Sequence, residues 1–269
     1  MKKKMIRFGK LILCLLILFI VIGPILLSLV NSFKSEKEIT RNYFSLPSSI
    51  TFENYERAIV KRGYFSYLLN SVMFTVASAV LCGIINTFVS FMIVENLNKP
   101  FYRFSYYALS CCMFIPVNII FFPLIKMYYA WNLMNVAGLL LYNMACMIPE
   151  CTFLLVPLLK GRNPNLKEAA ALDGCSFLQY YYKVFIPAHA VEYGTVIIIS
   201  FIWMWNAFLL PLMILNSKPE AWTLPIFLYN FLGKTSATKG PAFASNMLTL
   251  VPALFLCVLF NKRARNSGV

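Results

Sequence analysis

The chain has 269 residues, of which 60% are hydrophobic and only 13% charged, with a net charge of +14. That balance excludes a soluble fold, which could not hide so much apolar surface, and indicates a membrane protein. A positive charge of this size would suggest nucleic acid in a soluble protein, but here Lys and Arg stand at the ends of apolar runs. There they set orientation and meet the anionic head groups of the lipid bilayer, so no nucleic-acid partner is expected.

The first residues, Met1-Lys2-Lys3-Lys4 with Arg7 and Lys10, precede an apolar run over 11–30. The run is too long for a secretory signal and has no small-residue cleavage site, so it predicts an uncleaved first helix with its basic end inside, kinked at Pro24. Residues 31–66 are polar and mixed in charge, and predict an outer loop with local structure of its own. A second helix over about 67–94 carries Ser71, Ala77, Ser78, Ala79 and Gly83, small residues that permit close helix approach. After a short turn from Glu95 to Pro100, with Arg103 beyond it, a third helix is expected over 104–127 despite Pro116 and Pro123. Trp131 to Asn135 should form a turn, with Tyr128 and Trp131 at the membrane interface. A fourth helix follows over 138–159.

Residues 160–183 form a polar interlude between apolar runs. Asn163 is suited to cap a helix and Pro164 to its first position, so a short helix should run from Pro164 to about Leu172. Gly174 supplies the left-handed residue that ends it, and Ser176 with Gln179 forms a capping box for the next helix. The fifth helix is expected over 188–210, with Trp203, Trp205 and Asn206 near its far end. The sixth covers 242–260 and ends in Lys262-Arg263-Ala264-Arg265. An even number of spans puts both termini on one side, and basic residues near the helix ends favour the cytoplasm.

Eight cysteines are scattered, mostly in apolar segments, and with a single histidine, His189, they offer no metal or redox spacing. They are expected to be free thiols that act as small apolar packing residues, and no cofactor is expected. His189 is expected at the membrane interface. Within the membrane, Glu150 lies near the middle of the fourth helix and Glu192 near the start of the fifth. A carboxylate in hydrocarbon usually faces a cavity or a polar partner. Glu150, Glu192 or both, alongside Asn118, Asn143 or Asn206, could therefore touch the hydroxyls of a sugar-like solute. Alternatively, Glu150 belongs to a hydrogen-bonded structural pair and Glu192 stands near the inner interface.

Glu168-Ala169-Ala170, three residues, Gly174, nine residues and then Val184-Phe185-Ile186-Pro187 resemble the EAA loop of ABC-importer permeases. The likeness extends further. Ser32-Phe33-Lys34, Leu46-Pro47-Ser48, Thr51-Phe52-Glu53-Asn54-Tyr55, Asn70-Ser71, Trp205-Asn206-Ala207-Phe208 and Thr223-Leu224-Pro225 resemble, in order, segments of permeases of the sugar, maltose-transport type. One departure stands out: the family's usual small-aromatic-small-Arg ending on the second helix is replaced by Ser90-Phe91 followed by Glu95.

The resemblance implies an all-α membrane protein of six transmembrane helices with a cytoplasmic coupling helix between helices 4 and 5. The implied organisation is a cytoplasmic N-terminus (1–10), a permease domain (11–262, coupling loop 160–183) and a cytoplasmic tail (263–269) in a bacterial plasma membrane. Glu168, Ala169, Ala170, Asp173, Gly174 and Pro187 would couple to an ATPase. Implied partners are a second, non-identical permease, a pair of cytoplasmic ATPase subunits and an extracytoplasmic solute-binding protein that delivers a carbohydrate-like solute. Nothing in the chain matches Gly-x4-Gly-Lys-[Ser/Thr], so ATP would be hydrolysed by the partner and not by this subunit. Two other functions compete. A membrane-embedded enzyme would need His, Asp, Ser or Cys clustered at matched depth. A secondary transporter would show internal repeats or paired broken helices.

Overall fold

The computed structural model describes residues 2–61, 63–160, 166–233 and 239–266, with side chains for 7–60, 63–160, 166–230, 239–252 and 254. Every regular element among them is helical: α1 (Lys2–Ser32), α2 (Glu36–Arg41), α3 (Glu53–Glu56), α4 (Tyr64–Glu95), α5 (Pro100–Met113), α6 (Val117–Ala130), α7 (Val136–Lys160), α8 (Leu166–Leu172), α9 (Phe177–Gln179), α10 (Ile186–Ala188), α11 (Ala190–Trp205), α12 (Leu209–Leu215), α13 (Leu224–Gly233) and α14 (Lys239–Asn266). Short π-helical turns extend α3 over Arg57–Lys61 and join α9 to α10 over Tyr180–Phe185.

Among the described residues, three helices are long and apolar enough to cross a bilayer by themselves: Arg7–Ser32 within α1, α4 and α7, with mean hydropathy 3.1, 2.1 and 1.7. The shortest, at 25 residues, spans about 37 Å, more than a ~30 Å hydrocarbon core. Two helix pairs qualify only when taken together across a bend, α5 with α6 (98°) and Phe177–Ala188 with α11 (76°). The chain divides into two compact units, Met1–Tyr67 with Leu224–Leu259, and Leu68–Thr223 with Phe260–Val269.

In the first unit the segment after α1 is tightly built. Ser35 caps α2, with its hydroxyl accepting from the Glu38 N–H while the Glu38 carboxylate accepts from the Ser35 N–H. Lys34 is wholly buried, and its ammonium donates to the carbonyls of Asn42 (3.2 Å) and Tyr43 (3.3 Å) and to the Ser45 hydroxyl (3.3 Å). All three hydrogens of the cation thus meet oxygen, which burial demands. The Asn54 amide donates to the carbonyls of Ser32 and Lys34 at 2.9 and 2.7 Å. The Glu36 carboxylate accepts the backbone N–H groups of Lys239 (2.6 Å) and Gly240 (3.0 Å), capping α14 where its dipole is positive. The expected local structure of the outer segment is therefore present, although its centre is a buried charge that the sequence did not mark.

The second unit packs α7 against α5 and α11. The small residues of α4 behave as expected. A Cβ on Gly83 would stand 3.3 Å from the Ile197 side chain on α11, and Ser78 accepts a 2.8 Å hydrogen bond from the Asn143 amide on α7. Cys151 and Ser200 touch at 3.3 Å between α7 and α11.

Several expectations change. The third helix is two: α5 stops at Met113 and α6 restarts at Val117, with Pro116 in an extended conformation at the cap (φ −62°, ψ 125°). A proline disfavours helical geometry in the residue before it and cannot donate to the preceding turn, so the break falls there, whereas Pro123 is absorbed inside α6. The fifth helix starts at Ala190 after the bend and ends at Trp205, and a separate α12 follows. Tyr128 is buried, not interfacial, while Trp131 is exposed. His189 is also buried, its ring 4.4 Å from that of Phe185 and its Nδ1 2.9 Å from the Phe185 carbonyl. It occupies the bend and not a surface. Cys82 and Cys151 are packed inside as expected, but Cys14, Cys111 and Cys112 are exposed thiols. The expected start of the short helix, Asn163 and Pro164, lies outside the described residues.

Candidate functional site

The loop between α7 and α11 is built from its backbone outward. Gly174 has φ +73°, and its N–H donates to the Ala171 carbonyl (3.1 Å) while the Cys175 N–H reaches back to Ala170 (3.0 Å). These two bonds close α8 with a Schellman turn, a motif that needs a left-handed residue and so selects glycine. Ser176 then opens α9: its hydroxyl accepts the Gln179 N–H, and the Gln179 side-chain oxygen accepts the Ser176 N–H at 2.8 Å. The two helices hinged at a glycine, as read from the sequence, are present.

What holds this loop to the membrane domain is a ring cluster. Phe91 on α4 is fully buried, and four rings surround it: Phe177 (5.4 Å), Tyr180 (5.9 Å), Tyr181 (4.8 Å) and Phe185 (4.7 Å). Aromatic pairs at these separations add to the burial of their area. Ala170 joins the same core from α8, beside Leu155 and Leu159. Polar bonds complete the attachment. Glu95, the last residue of α4, receives the Tyr180 hydroxyl (2.9 Å) on one oxygen and the Lys167 ammonium (2.8 Å) on the other. Its side chain is only 12% exposed against 58% for Lys167, so the carboxylate is a buried anchor and the lysine reaches down to it. Sequence reasoning noted Glu95 only as a departure. The signal that identifies its partner, an opposite charge one residue before Glu168, was present but unpaired in the reading.

The other side of α8 is open. Glu168, Ala169 and Asp173 are exposed, and Leu172 is 90% exposed. Glu168 stands in the first turn, on the positive end of the short helix. Pro187 is exposed within α10, two residues after the end of the π turn and two before the His189 bend.

The four residues expected to share a solute path are not gathered at one place. Asn118 on α6 and Asn206 at the end of α11 both line an open cavity of about 590 Å³, whose walls include Phe121, Tyr142, Trp203 and Phe208. Asn143 is separate. It is buried, its amide is bonded to Ser78, and it faces a small void beside Ser71, Thr75 and Trp205 of about 10 Å³, room for roughly one water. Glu150 lines neither space, is only partly buried, and its carboxylate finds no hydrogen bond or ion pair among the described residues. The alternative of a hydrogen-bonded pair for Glu150 is thus absent from this set of contacts. Asn70 ties two of the recognised segments together: its amide donates to the carbonyls of Glu220 (2.7 Å) and Trp222 (3.0 Å), next to Thr223.

Comparison with known proteins agrees with this architecture. The multiple sugar-binding transport system permease protein MsmG of Streptococcus mutans is 32% identical over 263 residues, covering 97% of this chain and 95% of that one. The diacetylchitobiose uptake system permease protein NgcG of Streptomyces coelicolor is 30% identical over 266 residues, covering 97% and 87%. A chain in the crystal structure of a bacterial ABC transporter involved in the import of the acidic polysaccharide alginate superposes with a TM-score of 0.77 at 17% identity, covering 97% of both chains, which establishes a shared fold. The profile of the binding-protein-dependent transport system inner membrane component family matches residues 79–262, which include the α8 loop, the larger cavity and the Phe91 cluster, and the chain belongs to that family.

Proposed function

We propose that this chain is one permease half of an ATP-driven importer for a carbohydrate-like solute, and that α8 is its coupling helix. In this reading α1, α4, the bent pair α5–α6, α7, the bent segment from Phe177 to Trp205, and α14 make six crossings, with both termini and the α8 loop in the cytoplasm. The chain then works with a second permease, a pair of ATPases and an extracytoplasmic binding protein. The observation that carries the reading is the two-sided construction of the loop. One side is fixed by Phe91, Ala170 and Glu95; the other presents Glu168, Ala169, Leu172 and Asp173 to a partner.

A knob held this way transmits force. When ATP closes the ATPases, motion of the cleft around α8 reaches α4 through Glu95 and the rings on Phe91, and reaches α7 through Leu155 and Leu159. The bundle then rocks between inward- and outward-facing states. The cavity lined by Asn118 and Asn206 supports the choice of solute. Amides donate to and accept from hydroxyls, while Trp203 and Phe121 offer flat faces to the apolar side of a sugar ring, and the cavity volume lies in the range of small-ligand sites. The sugar systems named for the relatives point the same way.

The two broken spans are a feature also expected of a secondary transporter. That alternative gives no role to the α8 loop, so a test on the loop separates the two. Glu168→Lys should insert and fold normally, since no apolar helix is altered, yet lose transport and the ATPase stimulation given by loaded binding protein. Parental transport with the ATPase fully bound would overturn the coupling assignment. Thiol labelling of Leu172→Cys from outside intact cells would overturn the topology.

A further inference from the structure

Where α5 begins and α7 ends, a further cavity of about 450 Å³ opens, away from both spaces described above. Its wall carries the Arg103 guanidinium, the Lys160 ammonium, the Tyr106 and Tyr107 side chains and the Asn98 amide, and none of the described residues lining it is acidic. Arg103 is steadied from one side, its Nε donating to the Leu97 carbonyl at 3.4 Å, and its terminal nitrogens have no hydrogen-bond partner among the described residues. Two cations with neutral donors on the same wall suit a group with several anionic oxygens, and a guanidinium matches phosphate geometry well. The surroundings narrow the source. Tyr107 in the cavity wall is 60% exposed and Phe104, one turn before it on the same helix, is 73% exposed, so apolar surface adjoins the donors. A ligand that fills both is a phosphate with hydrocarbon attached.

We propose that this cavity holds the phosphate of an anionic phospholipid, with its acyl chains laid along Tyr107 and Phe104. The proposal rests on the topology given above only for the leaflet, which is the cytoplasmic one. There the lipid would wedge between α5 and the end of α7, at the point where the chain passes into the α8 loop.

The experiment uses the full chain with its copurifying subunits, delipidated in detergent and titrated with mixed micelles of phosphatidylglycerol or phosphatidylcholine. Bound lipid is counted by native mass spectrometry. The parent should retain phosphatidylglycerol roughly tenfold or more tightly than phosphatidylcholine, as two basic groups near an anionic head group provide. Arg103→Gln combined with Lys160→Gln should abolish that preference, and Arg103→Lys combined with Lys160→Arg should keep most of it. Equal preference in the Gln pair and the parent would overturn the proposal. Displacement of the lipid by millimolar inorganic phosphate would also overturn it, in favour of a free anion. So would loss of the ATPase from the Gln pair with lipid retention unchanged, which would make the cavity a protein contact. Coupling through Glu168 is read separately, so failure here leaves the α8 assignment standing.

Discussion

The segment after α1 and the loop between α7 and α11 use the same local devices toward opposite ends. Each has a capping box, Ser35 with Glu38 and Ser176 with Gln179. In the first, three charges at or beside the box are satisfied within the chain, while Lys37 and Arg41 stay exposed: Lys34 is buried among carbonyls, Glu36 caps α14, and Glu38 gathers the hydroxyl and N–H of Ser48. In the second, only Lys167 turns inward, to Glu95, while Glu168 and Asp173 remain facing water. Charges satisfied within the chain make architecture. Charges left facing water are available to a partner, and that contrast separates the structural segment from the proposed coupling loop more sharply than composition does.

The contrast can be broken most strongly at Gly174. Gly174→Val places a β-branched residue at φ +73° and adds about 1–3 kcal/mol of strain. The chain should still insert, but transport and copurified ATPase should both fall to near background. Parental values for both would mean that the turn does not aim the helix. In the structural segment the matching change is Lys34→Met, which takes the ammonium away from the carbonyls of Asn42 and Tyr43, leaving them only the Ser45 hydroxyl and the Asn31 amide, and should destabilise the segment by about 1–3 kcal/mol. Proteolysis of 31–56 in the purified chain should accelerate while ATPase binding is unchanged; loss of ATPase binding would blur the distinction.

A finer test concerns the one inward charge of the coupling loop. Glu95→Gln keeps an acceptor for Tyr180 but removes the ion pair, and Lys167→Gln removes it from the other side. Each should lower ATPase stimulation a few-fold, and the double variant should be no worse than either, because both delete one interaction. Additive losses would show that Glu95 and Lys167 act independently. The smallest effect is one of pH. The Ser48 hydroxyl, then the Ser48 and Ser35 N–H groups, hold the Glu38 carboxyl down from 4.5 to about 2. A lowered value stabilises the fold above 4.5, and that contribution is lost as pH falls toward 2. Hydrogen exchange in 35–48 should quicken across that window in the parent and stay flat there in Glu38→Gln; identical profiles would remove Glu38 from the segment's stability.

Much of the coupling loop was legible because its determinants are local. Gly174, Ser176 and Gln179 act on backbone groups within a few residues, so their spacing fixes their geometry. Phe91 was not legible in the same way, since its four ring partners lie more than eighty residues away and no periodicity joins them. The break at Pro116 escaped for another reason: Pro116 and Pro123 lie in one apolar stretch, and sequence does not say which proline a helix will absorb. Lys34 read as a solvated loop charge because burial of a lysine depends on carbonyls that only the folded segment brings together. Asn118 and Asn206 were chosen as polar residues in apolar surroundings, a rule that found the cavity wall but also drew in Asn143, whose amide is engaged by Ser78.

The Schellman turn after α8 has one more consequence. Its geometry is written in main-chain bonds and a glycine, and its footing in rings beneath it, so the four outward side chains carry no duty in keeping the loop's shape. Under the proposed coupling role, grafting Glu168, Ala169, Leu172 and Asp173 from a relative should change which motor the chain answers to without redrawing its membrane helices. Separating the address from the machine in this way lets one transport pore be rewired to another engine by a handful of surface substitutions.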